Sequence, residues 1–217
     1  MKSDVDLKSD VLSELEYEPG VKVEDIGVSV KHGIVTLNGA VSSYAEKLAA
    51  ARAVKRVAGV RGLAEDLTVE VPESSRRTDS EIAAAALDAI GSVSIVPAGT
   101  VEVVVRHGSI TLEGVVDGWH QKTAAEEAVR HLAGVNGVTN SIKLKPRPAP
   151  LNVKGAIEAA FQRHAMLDAQ QLLVETLGSK VVLRGSVRSV MEREEAERAA
   201  WAASGVTSVE NRIVVTV

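Results

Sequence analysis

The chain contains no cysteine. That excludes disulfides, thiolate metal sites and cysteine nucleophiles. Aromatic side chains are almost missing: two Trp, two Tyr and one Phe in 217 residues. Any core must therefore be built from Val, Leu, Ile and Ala, and each aromatic position carries information. No apolar run approaches the roughly 20 residues that cross a bilayer as a helix. The first residues, Met-Lys-Ser-Asp-Val-Asp-Leu, hold no apolar signal core. The chain accordingly reads as cytoplasmic, with a periplasmic place expected only if a leader has been trimmed away. Strong charge is also lacking. The net charge is -4, a poor basis for holding nucleic acid. Nucleophile-elbow, P-loop and His-Glu-x-x-His patterns do not occur. No acid–base pair recurs along the chain, so neither catalysis nor a cofactor or metal is expected.

What the chain does contain is repetition. Gly33-Ile-Val-Thr-Leu-Asn-Gly39 returns as Gly108-Ser-Ile-Thr-Leu-Glu-Gly114. It returns again, one residue looser, as Gly178-Ser-Lys-Val-Val-Leu-Arg-Gly185. A second glycine follows each time at the same spacing: Gly39 with Gly59, Gly114 with Gly134, Gly185 with Gly205. These registers define three tandem copies, over 1–71, 78–145 and 151–217.

Within each copy the hydrophobic period changes in a fixed order. Leu7, Val11 and Leu15 recur at helical spacing, as do Ile82, Ala86 and Ile90, then Val153, Ile157 and Phe161. The first two helices are expected to end at the turns Glu18-Pro19-Gly20 and Pro97-Ala98-Gly99. Two alternating strands follow, joined at His32-Gly33 and His107-Gly108 by turns of tight-hairpin length. The third turn, Gly178-Ser179-Lys180, is expected to be one residue longer. A second helix is announced by Ser43 with Glu46, Gly118 with Gln121 and Ser189 with Glu192, and Thr78 with Glu81 caps a first helix. Gly59, Gly134 and Gly205 stand where a helix C-terminus favours a left-handed residue. A last strand closes each copy. The predicted class is α+β: three α-β-β-α-β units, each a three-stranded mixed sheet with two helices on one face. The linkers are 72–77 and 146–150, the second stiffened by three prolines.

This order of elements, with the paired glycines, the Gly33–Gly39 strand and the helix running from Ala50 to Gly59, resembles the BON (bacterial OsmY and nodulation) domain. The resemblance covers nearly the whole chain. It implies a non-enzymatic protein associated with osmotic stress and with phospholipid or membrane binding. One relative of that kind binds potassium, so ion sensing is a further implied alternative. The repeat itself supports another reading, a self-assembling or protein-binding scaffold, because three copies multiply weak contacts.

A few residues stand out as candidate contacts. Tyr44 and Trp119 share one position, five residues after the strand glycine. They read either as lids over the sheet end or as interfacial anchors. Trp201 replaces Lys55 and Arg130 of the other copies, which marks its position as solvent-facing. The third copy holds eight basic and eight acidic residues, whereas the first and second are each net -3. Lys154, Arg163, Arg184 and Arg188 in that least acidic copy, with Trp201, are the candidate contacts for anionic phospholipid. Five histidines offer no metal cluster. His120 and His131, taken on one helix, would lie about 16 Å apart. Gly59-Val-Arg-Gly62 and Gly134-Val-Asn-Gly137 imitate a nucleic-acid-binding loop, but the third copy breaks the pattern and the glycines read as helix caps.

Overall fold

The computed structural model describes residues 2–146 and 152–216. The proline-rich linker predicted at 146–150 lies, but for Pro146, outside the described residues. The first copy runs α1 (Asp4–Tyr17), β1 (Ile26–Lys31), β2 (Ile34–Val41), α2 (Tyr44–Arg56) and β3 (Gly62–Val69). The second runs α3 (Asp79–Gly91), β4 (Val101–Arg106), β5 (Ser109–Val116), α4 (Trp119–Val129), β6 (Gly137–Asn140) and β7 (Lys143–Leu144). The third runs α5 (Val153–Arg163), β8 (Leu172–Leu177), β9 (Lys180–Val187), α6 (Val190–Trp201) and β10 (Ser208–Val215). In each copy the hairpin is antiparallel, and in the second and third the last strand returns parallel to its middle strand. The α-β-β-α-β order and the mixed sheets are those the sequence predicts, except that the closing strand of copy 2 is broken at Ser141-Ile142 into β6 and β7, both parallel to β5, so that this sheet counts four strands and not three.

The chain divides into two compact units. One is Met1–Gly39 with Ala49–Asp66 and Pro146–Val217; the other is Ala40–Leu48 with Leu67–Lys145. The first joins most of copy 1 to copy 3, and the second joins the rest of copy 1 to copy 2.

The helical stripes are the cores. Leu7, Val11 and Leu15 are buried, as are Ile82, Ala86 and Ile90, and Val153, Ile157 and Phe161. They meet alternate strand residues: Val35 and Leu37, Ile110 and Leu112, Val181 and Leu183. Small residues, including Ala50, Ala53, Ala125, Ala196 and Ala200, let the second helix lie close to its sheet.

The strand glycine has a steric reason. At Gly39, Gly114 and Gly185 φ is +120°, +135° and +125°. A Cβ at those positions would overlap the carbonyl oxygen of Asp25, Thr100 or Gln171 respectively. Only glycine permits that backbone and that approach together. This is why the motif is spoken three times.

Three expectations are corrected. Helix α3 ends at Gly91, well before Pro97-Ala98-Gly99: Ser92 is its C-cap, and the N–H groups of Val93 and Val96 close tight turns onto the Ile90 and Val93 carbonyls. The third hairpin is not longer. Leu177 pairs with Lys180, as Lys31 pairs with Ile34, so every loop has two residues. What moved is the glycine: it holds the first loop position in copy 3 and the second in copies 1 and 2. His32 and Gly33, and His107 and Gly108, all have positive φ, the pattern of a type I′ turn, whereas in the third loop only Gly178 does, as in type II′. Finally, α4 stops at Val129, so His131 is not on the helix of His120.

Candidate interaction site

The hairpin end of copies 1 and 2 is tied down by one side chain. Asp4, the first residue of α1, accepts hydrogen bonds from the backbone N–H groups of His32 (2.7 Å) and Gly33 (3.0 Å). Asp79 does the same for His107 and Gly108, at 2.9 Å each. Those N–H groups hold both carboxyls below the ordinary aspartate value of 3.8: His32 contributes most at Asp4, and Gly108 most at Asp79. A negative charge also suits a helix N-terminus. The sequence reading missed this device. Its signal was present, since Asp4 and Asp79 stand 29 residues before Gly33 and Gly108 and share their repeat register. In copy 3 that register falls on Pro150.

Beside each Asp lies a cleft. In the first unit it is lined by Lys2, Asp4, Leu7, Gly33, Gly59 and Arg61 of copy 1, and by Val214, Val215 and Thr216 of copy 3. In the second unit it is lined by Arg77, Asp79, Gly108, Gly134 and Asn136 of copy 2 with Val69, Glu70 and Val71 of copy 1, together with Arg76, Thr78 and His107. In the repeat register, Lys2 matches Arg77, Gly59 matches Gly134, Arg61 matches Asn136, and Val215-Thr216 match Val69-Glu70. One arrangement has been made twice, with the third-strand end of one copy at the hairpin end of another.

The start of the second helix belongs to the same arrangement. Ser43 and Ser189 cap α2 and α6, accepting from Glu46 and Glu192 N–H. The buried Glu46 carboxylate in turn accepts from Ser42 N–H and Oγ–H, and Glu192 accepts from Arg188 N–H. Gln121 serves Asp117 and Gly118. Tyr44, the residue after the cap, packs partly buried against the core of copy 2. It is thus an anchor between copies and not a lid over its own sheet. Val190, at the same position in copy 3, is buried. Trp119 is half-buried, with Lys122 Nζ 5.9 Å from its ring.

Lys47 and Lys122 each donate from Nζ to a main-chain carbonyl along the last strand of their copy, Leu67 and Ile142, at 2.8 Å. Burial pulls the Lys122 ammonium below the usual lysine range. Asn140 and Asn211 knit the same region in copies 2 and 3, donating to Lys122 and Arg193 carbonyls and to Glu126 and Glu197 carboxylates. Glu65 occupies this register in copy 1.

The predicted cationic contacts do not converge. Lys154 and Arg163 are on α5, which packs on the sheet. Arg184 is on β9 among the residues facing away from the helices, and Arg188 follows that strand. Lys154 pairs with Glu158, Arg184 with Glu175 and Arg188 with Glu192. Trp201 is half-buried, its Nε1 3.4 Å from Glu197. Its register is not solvent-facing as expected: the Lys55 and Arg130 side chains are only 23% and 22% exposed, held by Glu194 and Glu127. Among the described residues no group of His, Asp and Glu could hold a metal ion.

Comparison with known proteins settles the family. The BON domain matches residues 3–71, 78–146 and 152–217. The chain belongs to the BON domain family. Osmotically-inducible protein Y of Escherichia coli (strain K12) is 34% identical to it over 133 residues. That alignment spans 58% of this chain and 64% of the relative's length. Among solved structures, CdsD, a structural protein of the Type III secretion system of Chlamydia trachomatis, aligns over 97% of this chain and 92% of its own, with 13% identity and a TM-score of 0.27. The C-terminal domain of CdsD aligns over 100% of both chains, at 12% identity and a TM-score of 0.26. Scores that low do not establish a shared arrangement. The BON copies of this chain share the glycine at Gly39, Gly114 and Gly185, and they differ in the Asp that secures the hairpin.

Proposed function

We propose that this BON protein is a non-catalytic binding protein of the osmotic-stress response that associates with phospholipid surfaces. The observation that carries this is the match of three BON copies across nearly the whole chain, together with the likeness to an osmotically inducible relative. The third copy supports the lipid part. The sheet face away from its helices exposes Leu173 (64%) and Val214 (55%), and Leu177 (70%) projects at the hairpin tip. Leu173 pairs with Arg184, and Leu177 with Lys180. Exposed leucines suit the boundary between acyl chains and headgroups; Lys180 and Arg184 beside them pair with Glu210 and Glu175 and would exchange those carboxylates for anionic headgroups.

Flotation with vesicles of phosphatidylglycerol and phosphatidylethanolamine tests the reading. Expected is co-flotation at low salt that weakens with added salt, and that Leu173→Glu with Leu177→Glu abolishes. Protein that stays at the bottom of the gradient with anionic vesicles at low salt refutes it.

A further inference from the structure

Copies 1 and 2 are neighbours in sequence, joined by the short linker 72–77. Copies 1 and 3 are not; copy 2 lies between them in the chain. Yet the third-strand end of copy 3 sits at the hairpin end of copy 1 in the same register as copy 1 on copy 2. A direct linker is therefore not what produces the arrangement. The surfaces themselves specify it.

The contact between copies 3 and 1 has identifiable parts. Gly59 N–H, at the end of α2, donates to the Arg188 carbonyl at 3.2 Å. Lys55, one turn earlier, forms an ion pair with Glu194 of α6 at 2.9 Å. Gly59 is buried, while its counterpart Gly205 is only half-buried. The ion pair is partly exposed, with Glu194 at 45%, so it directs the pairing more than it strengthens it. A cleft of about 290 Å³ remains beside Gly59. The joint is thus specific, directed by two polar contacts beside a mainly apolar cleft, and incompletely packed.

We propose that this joint is exchangeable. Copy 3 of one molecule closes on copy 1 of a second molecule through the Gly59–Arg188 and Lys55–Glu194 contacts, and the second molecule returns the same contact. The result is a two-fold domain-swapped dimer, with a second copy of this chain as the partner. Exchange of an identical element makes no contact that the monomer lacks, so it costs little beyond association itself. Within one chain the effective concentration of copy 3 at copy 1 is fixed by what joins them, copy 2 and its linkers, whereas the concentration of a second molecule is not. The swapped form is therefore favoured as protein concentration rises.

The absence of native cysteine makes the test clean. Full-length Lys55→Cys and Glu194→Cys proteins, carrying different tags, are mixed over a range of concentrations, oxidised and read on non-reducing gels. Expected is a covalent heterodimer whose yield rises with concentration. The double variant in one chain should give an internal bridge when dilute and a linked dimer when concentrated. On native cysteine-free protein, mixing Lys55→Glu chains with separate Glu194→Lys chains should raise the dimer fraction seen by light scattering above that of either chain alone, because each closed monomer opposes like charges whereas both joints of the exchanged dimer pair opposite ones. Lys55→Glu with Glu194→Lys in one chain should return the dimer fraction to that of the native protein. A heterodimer yield no higher than that of a control pair, Glu73→Cys with Glu102→Cys, overturns the proposal. So does a double variant that bridges only internally at every concentration, or one that forms no bridge at all.

Discussion

Copies 1 and 2 lock their hairpin to the first helix with an aspartate; copy 3 has no aspartate in that register and places a glycine earlier in the loop. The strand pairing and the buried stripes are nevertheless the same. Hairpin geometry is thus secured twice over, by loop residues that match the twist of the strands and by a side chain from outside the loop. Copy 3 shows that the loop residues suffice to keep the register. The strand glycine is different: all three copies carry it, because a carbonyl oxygen occupies the space that any side chain would need. A feature that another device can replace varies between copies, whereas one imposed by backbone overlap does not.

The largest effect should come from the shared feature. Gly185→Val forces a Cβ onto the Gln171 carbonyl and should destabilise copy 3 by more than about 4 kcal/mol. Gly114→Val should do as much to copy 2, and denaturant melts of both variants would show whether the copies are equal in this respect. Leu112→Ala, at a fully buried position, should cost about 2–5 kcal/mol. Thr111→Ala, on the next residue and the opposite face, should stay within about 0.5 kcal/mol. Equal losses would mean that the outer face of that sheet is buried as well.

The aspartates separate the copies. Asp4 and Asp79 have folded-state values below 3.8 because turn N–H groups bind the charged form. Their contribution is complete above the unfolded value and is lost as pH falls through the lower folded value. Asp4→Asn with Asp79→Asn should therefore lower the melting temperature at pH 7. It should also flatten the acid limb of the melting curve below about pH 4. Copy 3, which lacks the device, reaches that limb through Glu210, whose carboxyl Lys180 and Arg212 hold below the usual glutamate range; an unchanged limb in the double variant would place the acid sensitivity there or elsewhere. Gly178→Asn should cost about 1–2 kcal/mol. Open space surrounds its Cβ position, but its φ of +60° opens a type II′ turn, which calls for glycine there. The smallest effect remains that of Thr111→Ala; a Gly178→Asn loss no greater than that would show that the third hairpin tolerates a side chain where the other two loops carry histidine.

Much of this molecule was legible from its residues. Helical stripes, alternating strands, capping pairs and glycine registers are local patterns repeated three times, and repetition separates a pattern from chance. Leu7, Leu37, Ile110 and Ile157 were readable as core for that reason. The joint between copies was not. Tyr44 has the same neighbours in sequence whether it covers its own sheet or anchors in copy 2. Lys55 reads as a solvated lysine until Glu194, far along the chain, is placed beside it. The cations of copy 3 looked like one patch because charge can be counted without knowing the face on which it falls.

By itself, then, the sequence determined the elements, their order and their buried faces, since these depend on steric rules and periodicities acting within a few residues of each position. The tertiary structure decided which copies meet, what Asp4 and Asp79 bind, and which side of the third copy exposes Leu173. Those outcomes rest on distances between residues far apart in the chain, and no local pattern encodes such distances.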